Sequence, residues 1–166
     1  MIKAAVLTIS DKGSRGERED KSGEVIKEKL GHINAEVVAY EIVPDEREII
    51  SQTIRSFADR ANLILTTGGT GVSPRDVTPE ATRDVIEREL PGFSEAMRAE
   101  SFKVTTRSIG SRAVSGMYKD TLIINLPGSP KGVSECLGVV LEAIPHVLEV
   151  AGGKVSDCGK DVKPHS

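Results

Sequence analysis

Three glycines in four positions, Gly68-Gly69-Thr70-Gly71, stand just before Pro74-Arg75-Asp76. Glycine frees the backbone for positive φ and leaves no Cβ to hold a ligand away, so main-chain N–H groups can gather around an anion. The Thr70 hydroxyl can add a donor. Arg75 offers a planar fork that matches two phosphate oxygens, and Asp76 sets a carboxylate beside it. A bare turn needs the glycines but not an adjacent cation and carboxylate. Taken singly, Arg75 also reads as a solvated loop arginine and Asp76 as a distant cap for the next helix. The run is not a Walker A loop, because Gly71 is followed by Val72-Ser73 and not by lysine. It is not the dinucleotide fingerprint either, because Pro74 stands where a third glycine belongs.

The elements that must hold this loop are written on either side of it. Leu63-Ile64-Leu65 predicts a buried strand. Thr78-Pro79-Glu80 predicts a helix start, with Thr78 as N-cap, Pro79 in the first turn and Glu80 at the positive end of the dipole. That helix is expected to run to about residue 90, where Pro91-Gly92 stops it. Upstream, a strand over 2–10 leads into a polar loop beginning Ser10-Asp11, then a helix over 22–30 with Gly31 just past its end. A second strand over 35–43 ends at Pro44-Asp45-Glu46, where Asp45 also reads as the cap of a helix over 46–61. Downstream, a helix over 93–103 and a connector over 105–111 precede two short strands, 113–118 and 121–126. Lys119-Asp120 joins them as a hairpin turn. Pro127-Gly128-Ser129-Pro130 then opens a long helix from 131, kinked at Pro145 before Val150.

This order predicts a three-layer α/β/α sandwich with a mostly parallel sheet and one antiparallel strand. One domain is expected over 1–152, followed by a polar tail over 153–166. Polar loops at Asp11, Asp45, Gly68 and Pro127 each follow a strand. Along one edge of a parallel sheet they would build a single site.

Composition narrows the partners. The chain has 166 residues with 38% hydrophobic and only 3% aromatic side chains, so its core is aliphatic. Few aromatics and a net charge of -3 speak against a nucleic-acid partner. Cys136 and Cys158 are too few and too far apart for a disulfide framework or a zinc site. Reduced thiols and the lack of any membrane-length apolar run predict a cytoplasmic protein with no membrane partner. His32, His146 and His165 are scattered and form no ligand cluster.

Four motifs together resemble one family. Thr67-Gly68-Gly69-Thr70-Gly71 with Pro74-Arg75-Asp76-Val77-Thr78-Pro79-Glu80 resembles the signature of the molybdenum-cofactor biosynthesis domain. Ile9-Ser10-Asp11 with Asp20-x-Ser22-Gly23, Val43-Pro44-Asp45-Glu46 and Asn125-Leu126-Pro127-Gly128-Ser129-Pro130 resemble its other loops, in order along nearly the whole chain. The likeness is to the stand-alone MogA/MoaB-type branch, which is similar to the G domain of gephyrin. One departure is Gly110 in Ile109-Gly110-Ser111-Arg112, where an aliphatic residue is common.

The resemblance implies a molybdopterin adenylyltransferase. In that family the terminal phosphate of molybdopterin attacks the α-phosphorus of ATP with Mg²⁺ present, giving adenylyl-molybdopterin and pyrophosphate. It also implies a homotrimer, and a downstream molybdate-inserting protein as a further partner. The reaction joins two polyanions, so a carboxylate beside the phosphates needs a cation between them. Asp45 and Asp76 are therefore the expected catalytic pair and metal ligands, at the two positions to which the resemblance also points. Ser10 and Asp11 are expected to bind substrate, as are Gly68, Gly69, Thr70, Gly71 and Arg75. Ser111 and Arg112, with Pro127, Gly128 and Ser129, are expected to hold the pterin or its phosphate; ordinary turn chemistry is the alternative. A molybdopterin-binding protein without adenylyl transfer, or an assembly scaffold, are the competing readings.

Overall fold

The computed structural model describes residues 1–154. Six strands form: β1 (Lys3–Ile9), β2 (Glu36–Val43), β3 (Leu63–Thr67), β4 (Arg88–Glu89), β5 (Ser115–Tyr118) and β6 (Thr121–Leu126). They make one sheet in the order β2-β1-β3-β6-β5-β4. The pairs β1–β2, β1–β3 and β3–β6 are parallel, and β5 runs against both of its neighbours. β3, in the middle, is buried along its whole length, as a strand covered on both faces must be.

Alternate residues of each strand enter different cores. Ala4, Val6, Leu63, Leu65, Leu122 and Ile124 meet α2 (Lys21–Leu30), α5 (Pro91–Val104), α6 (Pro130–Val140) and α7 (Ala143–Ala151). Ala5, Leu7, Ile64 and Ile123 meet Ile50, Ile54 and Phe57 of α3 (Arg47–Ala58) and Ala81 of α4 (Thr78–Arg83). The period of two divides the aliphatic residues between two helical layers, which gives the expected three-layer sandwich. Among the described residues no helix is long and apolar enough to cross a membrane.

Several local expectations are corrected. The helix from Thr78 ends at Arg83, well short of residue 90. The segment after it is held by the sheet: Arg88 and Glu89 pair with Met117 and Gly116, and the Glu87 N–H donates to Met117 O at 2.8 Å. Gly116 permits this, since a Cβ there would stand 2.6 Å from Arg88 O. Val77, not Thr78, occupies the N-cap position of α4; the Thr78 hydroxyl instead donates to Gly68 O at 2.9 Å. Gly31 keeps right-handed dihedrals and opens a 3₁₀ turn, and the left-handed residue that ends it is Asn34, at φ 53°.

The long C-terminal helix is two helices. The break before Ala143 places Pro145 in the first turn of α7, where its missing N–H has no partner to lose. The polar loop after β1 contains a short helix, α1 (Asp11–Ser14), and the connector before β5 winds as a 3₁₀ segment, Thr106–Gly110. The hairpin turn falls at Lys119, φ 53°. Cys158, His165 and the tail beyond 154 lie outside the described residues.

Candidate active site

β3 delivers the chain into the loop at Gly68 and Gly69, with φ of 98° and 68°. These are left-handed values that side chains with a Cβ rarely adopt. A Cβ on Gly68 would overlap the Ile9 carbonyl oxygen, and one on Gly69 would overlap Thr78 Oγ1. The same Gly69 Cβ would lie 3.1 Å from Asp45 Oδ1, and a Cβ on Gly71 would lie 2.9 Å from Asp76 Oδ2. Both carboxylates therefore sit against bare glycine backbone. The Gly68 N–H is already committed to Leu126 O, at 3.3 Å. This corrects the expectation of four anion-binding donors. Among the described residues, no group accepts a hydrogen bond from the N–H of Gly69, Thr70 or Gly71.

The four strand-end loops meet in one cavity of about 910 Å³. Asp45 and Asp76 both line it, with Ser10, Asp11, Gly68, Gly69, Gly128 and Ser129. Three helices begin at its wall: Ser10 caps α1, Asp20 caps α2 and Ser129 caps α6, each accepting a backbone N–H from three residues on. Helix N-termini favour anions. Thr70, Gly71, Ser111 and Pro127 line a second cavity, of about 390 Å³, which shares Ser129 with the first.

Asp45 does not cap α3; Glu46 holds that position, without a side-chain bond. Instead Asp45 Oδ2 accepts the Asp11 N–H at 3.0 Å, while Asp11 Oδ1 accepts the Asp45 N–H at 3.0 Å. This reciprocal pair ties the loop after β1 to the loop after β2. Asp76 likewise caps no helix, and its Oδ2 accepts the Ser73 N–H at 3.0 Å. Burial pushes the Asp45 carboxyl above its ordinary range, and the negative charges of Asp11 and Asp76 add to the rise. Asp11 moves the other way, because the Arg75 guanidinium hydrogen-bonds it.

That pairing decides where Arg75 points. Its fork meets both oxygens of Asp11, at 2.9 and 3.0 Å, and reaches Glu46 at 3.1 Å. Arg75 is absent from the lining of the cavity. Arg112, also expected at substrate, turns its donors onto the glycine loop: Nε reaches Gly71 O at 2.7 Å and Nη2 reaches Asp76 O at 2.8 Å.

Five carboxylates line the large cavity (Asp11, Glu19, Asp20, Asp45 and Asp76) against three cations (Lys12, Arg18 and Lys21). Backbone N–H groups open to anions thus face an acidic excess, which a cation between them would offset. No group of three or more His, Cys, Asp or Glu side chains forms a metal cage among the described residues. Two carboxylates completed by substrate phosphates are nonetheless the usual donor set of Mg²⁺, so Asp45 and Asp76 fit that ion.

Asp20 stands in the Asp20-x-Ser22-Gly23 motif, which by itself assigns it no role. Its carboxylate accepts from the Thr8 hydroxyl at 2.6 Å, the Tyr40 hydroxyl at 2.5 Å and the Gly23 N–H at 2.9 Å. Burial and this carboxylate together raise the Tyr40 hydroxyl's pKa. Asn125 was passed over too. Fully buried, it donates to Thr66 and Thr82 and accepts from the Val114 N–H, joining β3, α4 and β6 beneath the loop. A lone asparagine inside the apolar run Leu122-Ile-Ile-Asn-Leu126 was the available signal, since a buried amide must be paired.

The fold and site define an open α/β sheet domain whose strand ends form a cavity lined by glycine backbone and flanked by carboxylates. Residues 5–146 match the family described as probable molybdopterin binding domain. The chain is 44% identical over 156 residues to a molybdopterin adenylyltransferase of Helicobacter pylori, covering 92% of this chain and 89% of that one. With the Escherichia coli molybdopterin adenylyltransferase it shares 40% over 153 residues, covering 89% and 77%. The solved structure of the molybdopterin biosynthesis enzyme MoaB from Thermus thermophilus superposes with a TM-score of 0.87 at 49% identity, covering 95% of this chain and all of that one. The chain belongs to the molybdopterin-binding domain family of molybdenum cofactor biosynthesis.

Proposed function

We propose that this chain is a molybdopterin adenylyltransferase that moves AMP from ATP to the terminal phosphate of molybdopterin. One observation carries the reading: Asp45 and Asp76, from different strand-end loops, line one cavity with the glycine turn. An oxygen of the molybdopterin phosphate bonds to the α-phosphorus, and the bond from that phosphorus to the bridging oxygen breaks. Pyrophosphate leaves with the electron pair.

The N–H groups of Gly69, Thr70 and Gly71 and the N-termini of α2 and α6 bind phosphate oxygens and align the two reactants. Ser10 and Asp11 contact substrate at the first loop. Ser111, Pro127, Gly128 and Ser129 line the two cavities in which the pterin and the nucleotide lie. Asp45 and Asp76 would hold Mg²⁺, which when bound neutralises charge between attacking and leaving phosphates. Arg75 acts at one remove, by holding Asp11 in place.

The resemblance also supports a homotrimer in the cytoplasm that hands its product to a molybdate-inserting protein. Large apolar side chains for such contacts stand exposed at the end of α5 and just beyond it, at Phe102, Val104 and Ile109. Incubation with molybdopterin, ATP and Mg²⁺ is expected to release pyrophosphate. Asp76→Ala is expected to lower that rate by on the order of 10² or more while molybdopterin binding survives. Molybdopterin binding without pyrophosphate would leave a binding protein in place of an enzyme.

A further inference from the structure

The segment that carries Asp76 is held mainly by polar contacts. Val72, Ser73, Pro74 and Arg75 are all exposed, and Val77, just before α4, is only partly buried against the core. Arg75 ties the segment's outer side to Asp11 and Glu46, and one further residue from a distant part of the chain holds its backbone carbonyls. The Arg112 N–H donates to Thr70 O at 2.8 Å, its Nε to Gly71 O at 2.7 Å and its Nη2 to Asp76 O at 2.8 Å. Its Nη1 pairs with Glu80, in the first turn of α4. Four attachment points thus span residues 70 to 80, and three of them use separate nitrogens of one side chain.

We propose that Arg112, braced by Glu80, is the positioning residue that fixes the Gly71-to-Asp76 segment and so sets the Asp76 carboxylate in the cavity. The planar guanidinium is required because its donors point in fixed, divergent directions; a lysine ammonium is a point charge that cannot reach three separated acceptors. Glu80 keeps the fork oriented. Burial alone would raise the Glu80 carboxyl, but hydrogen bonds from Arg112 and the Glu80 N–H, with the charges of Arg112 and Arg83, together bring it below its ordinary range. Its other oxygen, Oε2, is buried without a partner, which leaves Arg112 as the side chain hydrogen-bonded to this carboxylate.

The kinetic arm of the test rests on the adenylyltransferase reading; the exchange arm does not. Amide hydrogen exchange on the ligand-free protein is measured for wild type, Arg112→Ala, Arg112→Lys and Glu80→Gln, together with kcat and KM for molybdopterin and ATP. Arg112→Ala is expected to speed exchange over residues 71–77 and to lower kcat by on the order of 10², the scale of a misplaced reacting group. Both KM values stay within about twofold. Arg112→Lys recovers little, and Glu80→Gln, which keeps the carbonyl contacts, falls between. Should Arg112→Ala fail to fold, the other two variants decide. A raised molybdopterin KM with kcat and loop exchange unchanged would overturn the proposal, since Arg112 would then grip substrate. Full recovery by Arg112→Lys would overturn it as well, because charge alone would suffice. If wild type releases no pyrophosphate, the functional reading falls, and loop exchange still decides the role of Arg112.

Discussion

Asp45 is a carboxylate kept where the free protein gains nothing from its charge. Burial and two neighbouring acids raise its pKa above the ordinary range. The folded state therefore binds its proton more tightly than the unfolded chain does. Stability from this group is fully present below the unfolded carboxylate pKa and is lost as pH rises through the folded value. Asp45→Asn is accordingly expected to raise the melting temperature of the ligand-free protein at pH 7, with the gain vanishing below about pH 4. Adding Mg²⁺ and a nucleotide should stabilise wild type and leave the variant nearly unmoved. Thermal scans across pH, with and without the ligands, check both. A variant less stable than wild type at neutral pH would remove the electrostatic argument. Asp11 shows the opposite sign, because Arg75 holds its carboxyl low; it is a structural partner more than a reactive one.

At the scale of elements, the glycine turn and the 3₁₀ segment before β5 make contrasting demands. Gly69 is left-handed and pressed against Thr78 and Asp45. Gly69→Ala is expected to cost at least ~1–2 kcal/mol from backbone conformation alone, and to abolish activity. Gly110 is different: nothing lies within 4 Å of the Cβ it would carry. Gly110→Ala is therefore expected to be neutral or to stabilise by up to about 1 kcal/mol. Its departure from the family pattern places a glycine on the wall of the smaller cavity. Chemical denaturation of both variants tests the pair.

The glycines, the strand before them and the acids at strand ends were legible because each obeys a local rule. The stop at Arg83 was not. Residues 84–90 read as helix by themselves, and only the cross-strand partners Met117 and Gly116 draw them into the sheet. The destinations of Arg75 and Arg112 were equally hidden. Each binds groups far away in sequence, and residue type reveals a guanidinium without its acceptors. The Asp11–Asp45 exchange, by contrast, follows once both are placed at the ends of adjacent parallel strands.

For the molecule as a whole, the sheet edge collects side chains and helix starts from four chain regions into one cavity, which no single motif could build. Phe102 and Val104 at the end of α5 and Ile109 in the 3₁₀ segment are exposed apolar side chains. Sedimentation velocity is expected to find a trimer that a Phe102→Glu, Ile109→Glu double variant dissociates; a wild-type monomer would contradict this. In the proposed reaction Asp45 and Asp76 would jointly hold a divalent ion between two anions. The most direct test is electron paramagnetic resonance of Mn²⁺ titrated into the protein with an α,β-methylene ATP analogue. A nucleotide-dependent Mn²⁺ site is expected in wild type, weakened by on the order of tenfold or more in both Asp45→Asn and Asp76→Asn. Equal Mn²⁺ affinity in wild type and the two variants would contradict it.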